Sequence, residues 1–171
     1  NIILNGGPIV SNGAGALGDI TINAAGTGTT TLGADITANN GGAITLSDAV
    51  TLSNTSALTS NGGDITFANA LTMGANDLSI NSGSGAASFT SVSGAGQTLT
   101  LQNAASGDVS FSGNVALDDL ITNAADYTVD LNNGGSFTSN VAFLNTGDVT
   151  LDGTFTFDGG LVNSAGATNL N

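Results

Sequence analysis

The sequence predicts an all-β chain folded as a three-sided parallel β-helix (a β-solenoid) of about 22 residues per coil and roughly eight coils. Three observations carry this expectation. A hydrophobic pattern returns at a fixed period, apolar residues alternate with Thr, Ser and Asn inside each period, and Asn/Gly corners recur between the runs. A period of about 20–50 residues is the signature of a solenoid or array, in which each unit buries its apolar face only against its neighbours.

The clearest marker is Gly-Asp-(Ile/Val)-(Thr/Ser)-apolar. It occurs as Gly18-Asp19-Ile20-Thr21-Ile22, Gly63-Asp64-Ile65-Thr66-Phe67, Gly107-Asp108-Val109-Ser110-Phe111 and Gly147-Asp148-Val149-Thr150-Leu151. Degenerate copies lie between, as Gly42-Ala43-Ile44-Thr45-Leu46 and Ala86-Ala87-Ser88-Phe89, so coils start near 18, 42, 63, 85 and 107. Each period holds three short runs with the two-residue rhythm of a strand buried on one face. In 42–62 these are Ala43–Ser47, Ala49–Ser53 and Ser56–Ser60; in 63–84 they are Asp64–Phe67, Ala70–Met73 and Asp77–Ile80. The alternation, with so much Gly, Thr and Asn, excludes helix.

Superposing the first runs puts Ile20, Ile44, Ile65, Ala87 and Val109 in one inward rank. Ile22, Leu46, Phe67, Phe89 and Phe111 form the next, a continuous core stack, with Thr21, Thr45, Thr66, Ser88 and Ser110 outside. At about 4.8 Å of rise per coil the rod is on the order of 35–40 Å long. The corners read Asn40-Gly41-Gly42, Asn61-Gly62-Gly63, Asn81-Ser82-Gly83-Ser84-Gly85, Asn103-Ala104-Ala105-Ser106-Gly107 and Asn133-Gly134-Gly135. Asn and Gly accept the left-handed conformation of a sharp corner. Stacked coils would then align Asn40, Asn61, Asn81, Asn103 and Asn133 in a ladder of amides along the axis.

Strings such as Gly-Asp-Ile-Thr-Phe-Ala-Asn-Ala-Leu-Thr-Met (63–73) and Gly-Asp-Val-Ser-Phe-Ser-Gly-Asn-Val-Ala-Leu (107–117) resemble the β-strand repeat of very large bacterial surface exoproteins. These are the filamentous-haemagglutinin-like proteins and the β-helical passengers of autotransporters, and the resemblance covers roughly 18–160. It implies secretion to the bacterial cell surface and a role in adhesion or matrix assembly. It brings no catalytic residue, because those proteins share a stalk and differ in what it presents.

Composition narrows the function. The chain of 171 residues has no Lys, Arg, His or Cys, and its 13 acidic residues, all Asp, give a formal charge of −13. Nucleic acid is excluded as a partner, since nothing can displace phosphate counterions. Salt bridges between side chains are excluded too, which leaves the carboxylates to ions or water. The longest apolar runs, such as Val141–Leu144, fall far short of the ~20 residues a membrane helix needs. Without Lys or Arg the chain offers no tryptic cleavage site, which suits an extracellular life. It begins at Asn1, and strand-like runs at Ile2–Leu4, Pro8–Val10, Leu161–Val162 and Ala167–Leu170 lead to the expectation of a single solenoid segment (1–171) that continues into further coils or stacks end to end on copies of itself.

Catalysis has little raw material, and neither catalytic nor cofactor-binding residues are expected. A Ser nucleophile has no base, and the one adjacent carboxylate pair, Asp118-Asp119, reads as a surface turn. The segment 107–134 stands out as a period of 28 residues, and it holds Asp118, Asp119 and Asp126 beside Tyr127, the single tyrosine. An insertion in a solenoid emerges as a loop on one face, so these three Asp are the candidate Ca²⁺ ligands, although no repeat-in-toxin Gly-Gly-x-Gly-x-Asp motif accompanies them. Asp19, Asp64, Asp108 and Asp148 are expected to accept backbone N–H bonds at their own Gly corners. The outward Thr/Ser/Asn ranks, with Thr29-Thr30-Thr31 and Thr154-Phe155-Thr156, admit a second reading as a face that binds ice or host or matrix glycans.

Overall fold

A computed structural model describes residues 1–11, 18–24, 26–103, 106–164 and 166–171. Alternation is converted into strands throughout: runs such as Ile-Thr-Leu, Ile-Thr-Phe, Val-Ser-Phe and Val-Thr-Leu bury their first and third side chains and turn the middle one out. β-Branched and aromatic residues fit this half-buried, pleated environment.

The chain winds coil by coil. The first coil holds β1 (Ile2–Leu4), β2 (Ile9–Ser11) and β3 (Ile20–Ile22). The second holds β4 (Thr29–Leu32), β5 (Ile36–Ala38) and β6 (Ile44–Leu46), the third β7 (Ala49–Leu52), β8 (Ser56–Thr59) and β9 (Ile65–Phe67). The fourth is β10 (Leu71–Thr72), β11 (Leu78–Asn81) and β12 (Ala87–Phe89). In the next two coils the first two runs merge into one long strand, giving β13 (Val92–Leu101) with β14 (Val109–Phe111), then β15 (Val115–Thr122) with β16 (Val129–Leu131). The last coils hold β17 (Gly135–Phe137), β18 (Val141–Phe143) and β19 (Val149–Leu151), then β20 (Phe155–Phe157), β21 (Leu161–Asn163) and β22 (Thr168–Leu170).

All the pairings are parallel, each strand bonded to its counterpart one coil away. Three faces result. The first stacks β1, β4, β7, β10, β13, β15, β17 and β20; the second runs through β2, β5, β8, β11 and the later halves of β13 and β15, with β18 and β21 beyond; the third is an eight-stranded sheet from β3 to β22. Eight strands on one face bound seven steps, and the solenoid makes about seven turns of about 21 residues. The turns shorten along the axis: counterparts at the entry to the third face are 24 residues apart near the start, then 22, 20 and 19.

The core is a narrow column between the faces. On the third face Ile20, Ile44, Ile65, Ala87, Val109, Val129 and Val149 fall in one register and Ile22, Leu46, Phe67, Phe89, Phe111, Leu131 and Leu151 in the next. The Phe67 and Phe89 rings stack with centroids 5.1 Å apart, Phe89 and Phe111 at 4.7 Å, nearly parallel because a shared register fixes their rotamers. A second stack on the first face, Phe137 over Phe157 at 5.1 Å, has no counterpart in the sequence reading.

The period of 28 residues in 107–134 is a misreading. Val109-Ser110-Phe111 pairs directly with Val129-Asp130-Leu131, so the coil there is 20 residues long and carries no insertion. Tyr127-Thr128 fills the place that Gly-Asp fills in the marker. Tyr127 is buried in the core, where its hydroxyl accepts a hydrogen bond from the Asn123 N–H at 3.1 Å.

Candidate functional site

The features that distinguish this chain from a plain stack of strands lie where each coil enters the third face. Gly18, Gly42, Gly63, Gly85 and Gly107 form a column there, resumed by Gly147 and Gly166 after Tyr127. A Cβ on Gly42, Gly63, Gly85 or Gly107 would come closer than 3.0 Å to the backbone of the column glycine one coil earlier, and one on Gly147 would meet the Tyr127 carbonyl oxygen. These glycines are required by the close approach of two backbones, a use distinct from left-handed geometry.

Inside that column runs a set of polar side chains that tie off the same turn. Ser11 Oγ donates to the Gly18 carbonyl at 2.7 Å, Ser60 Oγ to that of Gly63, Asn103 Nδ2 to that of Gly107 at 3.1 Å, Asn145 Nδ2 to those of Tyr127 and Gly147 at 3.0 Å, and Asn163 Nδ2 to that of Gly166 at 2.8 Å. Ser60, Asn103 and Asn145 are wholly buried. Each removes the cost of burying an unpaired carbonyl in the core.

This arrangement replaces the predicted amide ladder. Asn40 and Asn61 do take the left-handed conformation, with φ of 58° and 52°. The amide of Asn61 reaches back along the axis to the residue before Asn40: Asn61 Nδ2 donates to Asn39 Oδ1 at 3.3 Å. Asn81 ends β11, and its Oδ1 accepts the Gly83 N–H at 3.0 Å within its own corner. Asn103 belongs to the buried set, while Asn133 follows β16 at the corner between the third and first faces. The strands before these corners end at different registers, β5 at Ala38 and β11 at Asn81, so equal distance from a glycine in sequence is not equal height on the rod. The Ala104-Ala105 portion of the Asn103 corner lies outside the described residues.

The carboxylates reach along the axis. Asp19 Oδ1 accepts the Ala43 N–H at 2.8 Å, Asp64 Oδ1 that of Ala86 at 2.9 Å and Asp148 Oδ1 that of Ala167 at 3.3 Å, while Asp108 Oδ1 accepts the Thr128 hydroxyl at 2.7 Å. Entering the second face, Asp35 and Asp77 do the same for the N–H groups of Ala57 at 2.8 Å and Thr98 at 2.9 Å. The bonds therefore cross to the following coil, where the sequence reading had them closing their own corner. Protein donors, and not ions or water alone, answer these charges. Charge-assisted bonds to N–H are among the stronger hydrogen bonds. Asp48 is the exception: it is buried and reaches back, its Oδ2 accepting from the Ala24 N–H and from Thr30 Oγ1 at 3.5 Å.

The candidate calcium ligands are not assembled. Asp118 Oδ1 accepts the Thr138 hydroxyl and the Ser139 hydroxyl at 3.0 Å, and these bonds, Thr138 first, lower its pKa. Asp119 is half-buried, Oδ1 lacks a partner, and burial raises its pKa, with the Asp118 charge adding to the effect. Asp126 is exposed. Among the described residues no group of three or more acidic side chains is placed to hold a metal ion.

Outward ranks exist on all three faces, but on the second Ala57, Ser79, Thr100 and Ile121 share one register with only two hydroxyls among them. Ile3, Thr31, Thr51, Thr72, Ser93, Ala116, Ser136 and Thr156 share one register on the first face; Thr21, Thr45, Thr66, Ser88, Ser110, Asp130, Thr150 and Asn169 share one on the third. Each rank is one side chain wide. Among the described residues no helix is long and apolar enough to cross a membrane. Comparison of the chain with protein-family models, curated proteins and solved structures gives no match.

Proposed function

We propose that the chain is a non-enzymatic structural segment of an extracellular bacterial stalk, adhesin or fibre at the cell surface, with further repeats or stacked copies of itself as its axial neighbours. One observation carries this reading: the column of close backbone contacts, the buried polar set and the forward-reaching carboxylates recur from coil to coil. Whatever coil sits next to these meets the contacts they already make with one another. In a quasi-one-dimensional array stability is a sum over neighbouring units, which suits a spacer whose task is length and stiffness. The resemblance of 63–73 and 107–117 to surface-exoprotein repeats supports the placement outside the cell. Electron microscopy of the native material tests the proposal. Rods or fibres with the cross-section of one solenoid are expected, and compact particles without an axis would overturn it.

The in-register hydroxyl ranks favour a second reading, in which the outward Thr/Ser/Asn face binds ice or host or matrix glycans. Thermal hysteresis in a freezing assay, or retention on a glycan array that is lost in a Thr45→Val, Thr66→Val double variant, is the result that reading requires.

A further inference from the structure

From the corner that joins the third face to the first we infer a cation site, independent of the structural role proposed above: a pocket built around Asp48 that takes a hydrated divalent cation, Ca²⁺ by its ligand chemistry. Three successive coils converge there. The Ile22, Leu46 and Phe67 register places Asn23 beside Ser47, and Ala24 beside Asp48 and Asn69. Six residues separate β3 from β4, against the two of the Ser47-Asp48 link between β6 and β7, and Gly26 within the longer link has a φ of 73°. The result is a cavity of about 500 Å³ lined by Asn23, Thr27, Thr29, Ser47, Asp48 and Asn69.

The chemistry of the wall selects the ligand. Asp48 is 94% buried by its 6% exposure, yet the chain has no Lys, Arg or His to offset its charge. Its partners, the Ala24 N–H and the Thr30 hydroxyl, both fall on Oδ2. Asn69 spends its amide nitrogen on the Ser47 carbonyl at 2.7 Å, which leaves its Oδ1 as an acceptor. An anion is repelled by the carboxylate and by the net charge of −13. A sugar ring has no aromatic side chain in this wall to stack on. A hard cation is matched by carboxylate, amide and hydroxyl oxygens, completed by its own waters, and Ca²⁺ accepts six to eight such ligands in flexible geometry. A volume of this size holds the ion with part of its hydration shell. Asp48 thus differs from Asp19, Asp35, Asp64, Asp77, Asp108 and Asp148 in surroundings as well as direction: they bond to the next coil, whereas it lines a cavity.

Isothermal titration of the full chain with Ca²⁺ alone, at fixed ionic strength, tests the site, with Asp48→Asn as the first variant because the amide keeps an oxygen for the Ala24 N–H. One saturable site in the native chain, weakened at least tenfold by Asp48→Asn and unchanged by Asp126→Asn, is the expected result. No saturable binding, or binding that survives Asp48→Asn, overturns the proposal and reduces Ca²⁺ to a diffuse counterion of the acidic surface. Should Asp48→Asn lose its strand signal in circular dichroism, the Asn23→Ala, Asn69→Ala double variant reads the same question. Tenfold weakening there supports the site, and an unchanged affinity sinks it.

Discussion

The entry to the third face and the corner between the first and second faces solve the same problem, a change of strand direction, under different constraints. At the third-face entry the glycine is kept in every coil but the one entered at Tyr127, because backbone there touches backbone one coil away. The other corner spans 33–35 in one coil, 73–77 two coils later and 95–97 in the next, where β13 bulges by three residues against the single Asp118 of β15. A Cβ on Gly96 in that bulge would meet nothing within 4 Å. Repetition in this chain is thus enforced where coils press together and relaxed where a corner faces solvent.

The largest expected effect tests the inward wall that the third-face entry positions. Phe89→Ala removes the middle ring of the stack and should cost roughly 3–5 kcal/mol, as core Phe truncations do, while Thr66→Ala on the same face stays within about 0.5 kcal/mol. Equal costs in a denaturant titration would break the distinction between wall and surface.

Next comes the contrast itself. Gly107→Ala forces a Cβ against the Gly85 carbonyl, which has no rotamer to move away, so the cost should reach the upper part of the ~1–3 kcal/mol range for overpacking. Inserting one glycine beside Gly96 lengthens an outward bulge and should cost no more than about 0.5 kcal/mol, since closure entropy grows slowly with loop length. If the insertion proves the more damaging in thermal melts, the two corners are not different in kind.

The smallest effect compares two neighbours within the variable corner. Asp118 has a pKa lowered by the Thr138 and Ser139 hydroxyls, so its folded form favours the charge; that contribution is present above the unfolded pKa and fades as pH falls through the lower folded value. Asp119 has a pKa raised by burial, so its charge opposes folding at neutral pH and the opposition is relieved as pH falls through the raised value. At pH 7, Asp118→Asn should lower the melting temperature and Asp119→Asn should raise it. Shifts of the same sign would contradict the assignment.

The fold was legible because inward ranks follow directly from a two-residue rhythm at a fixed period: Ile22, Leu46, Phe67, Phe89 and Phe111 occupy one register. The rhythm also survives at Val129-Asp130-Leu131, but there Tyr127-Thr128 replaces Gly-Asp, and without the marker a whole coil reads as part of an insertion. The hydroxyl of Thr128 was the available clue, as it meets Asp108 where a backbone N–H does so elsewhere. The buried Ser60, Asn103 and Asn145 could not be found by pattern, because Ser and Asn also fill the outside and only the height of each corner separates the two environments. Asp48 carries no motif at all; its setting arises from the unequal lengths of two corners in adjacent coils.

The carboxylates at the two strand entries give the rod a polarity. Asp19, Asp35, Asp64, Asp77 and Asp148 each hold an acceptor ready for a backbone N–H that lies about twenty residues later in the chain, on the following coil. A finished coil is therefore a template with its docking groups already facing the segment still to arrive, and each addition closes a loop of only one coil, a small entropic step. Folding can advance as a front from the N-terminal side while the remainder is still unfolded.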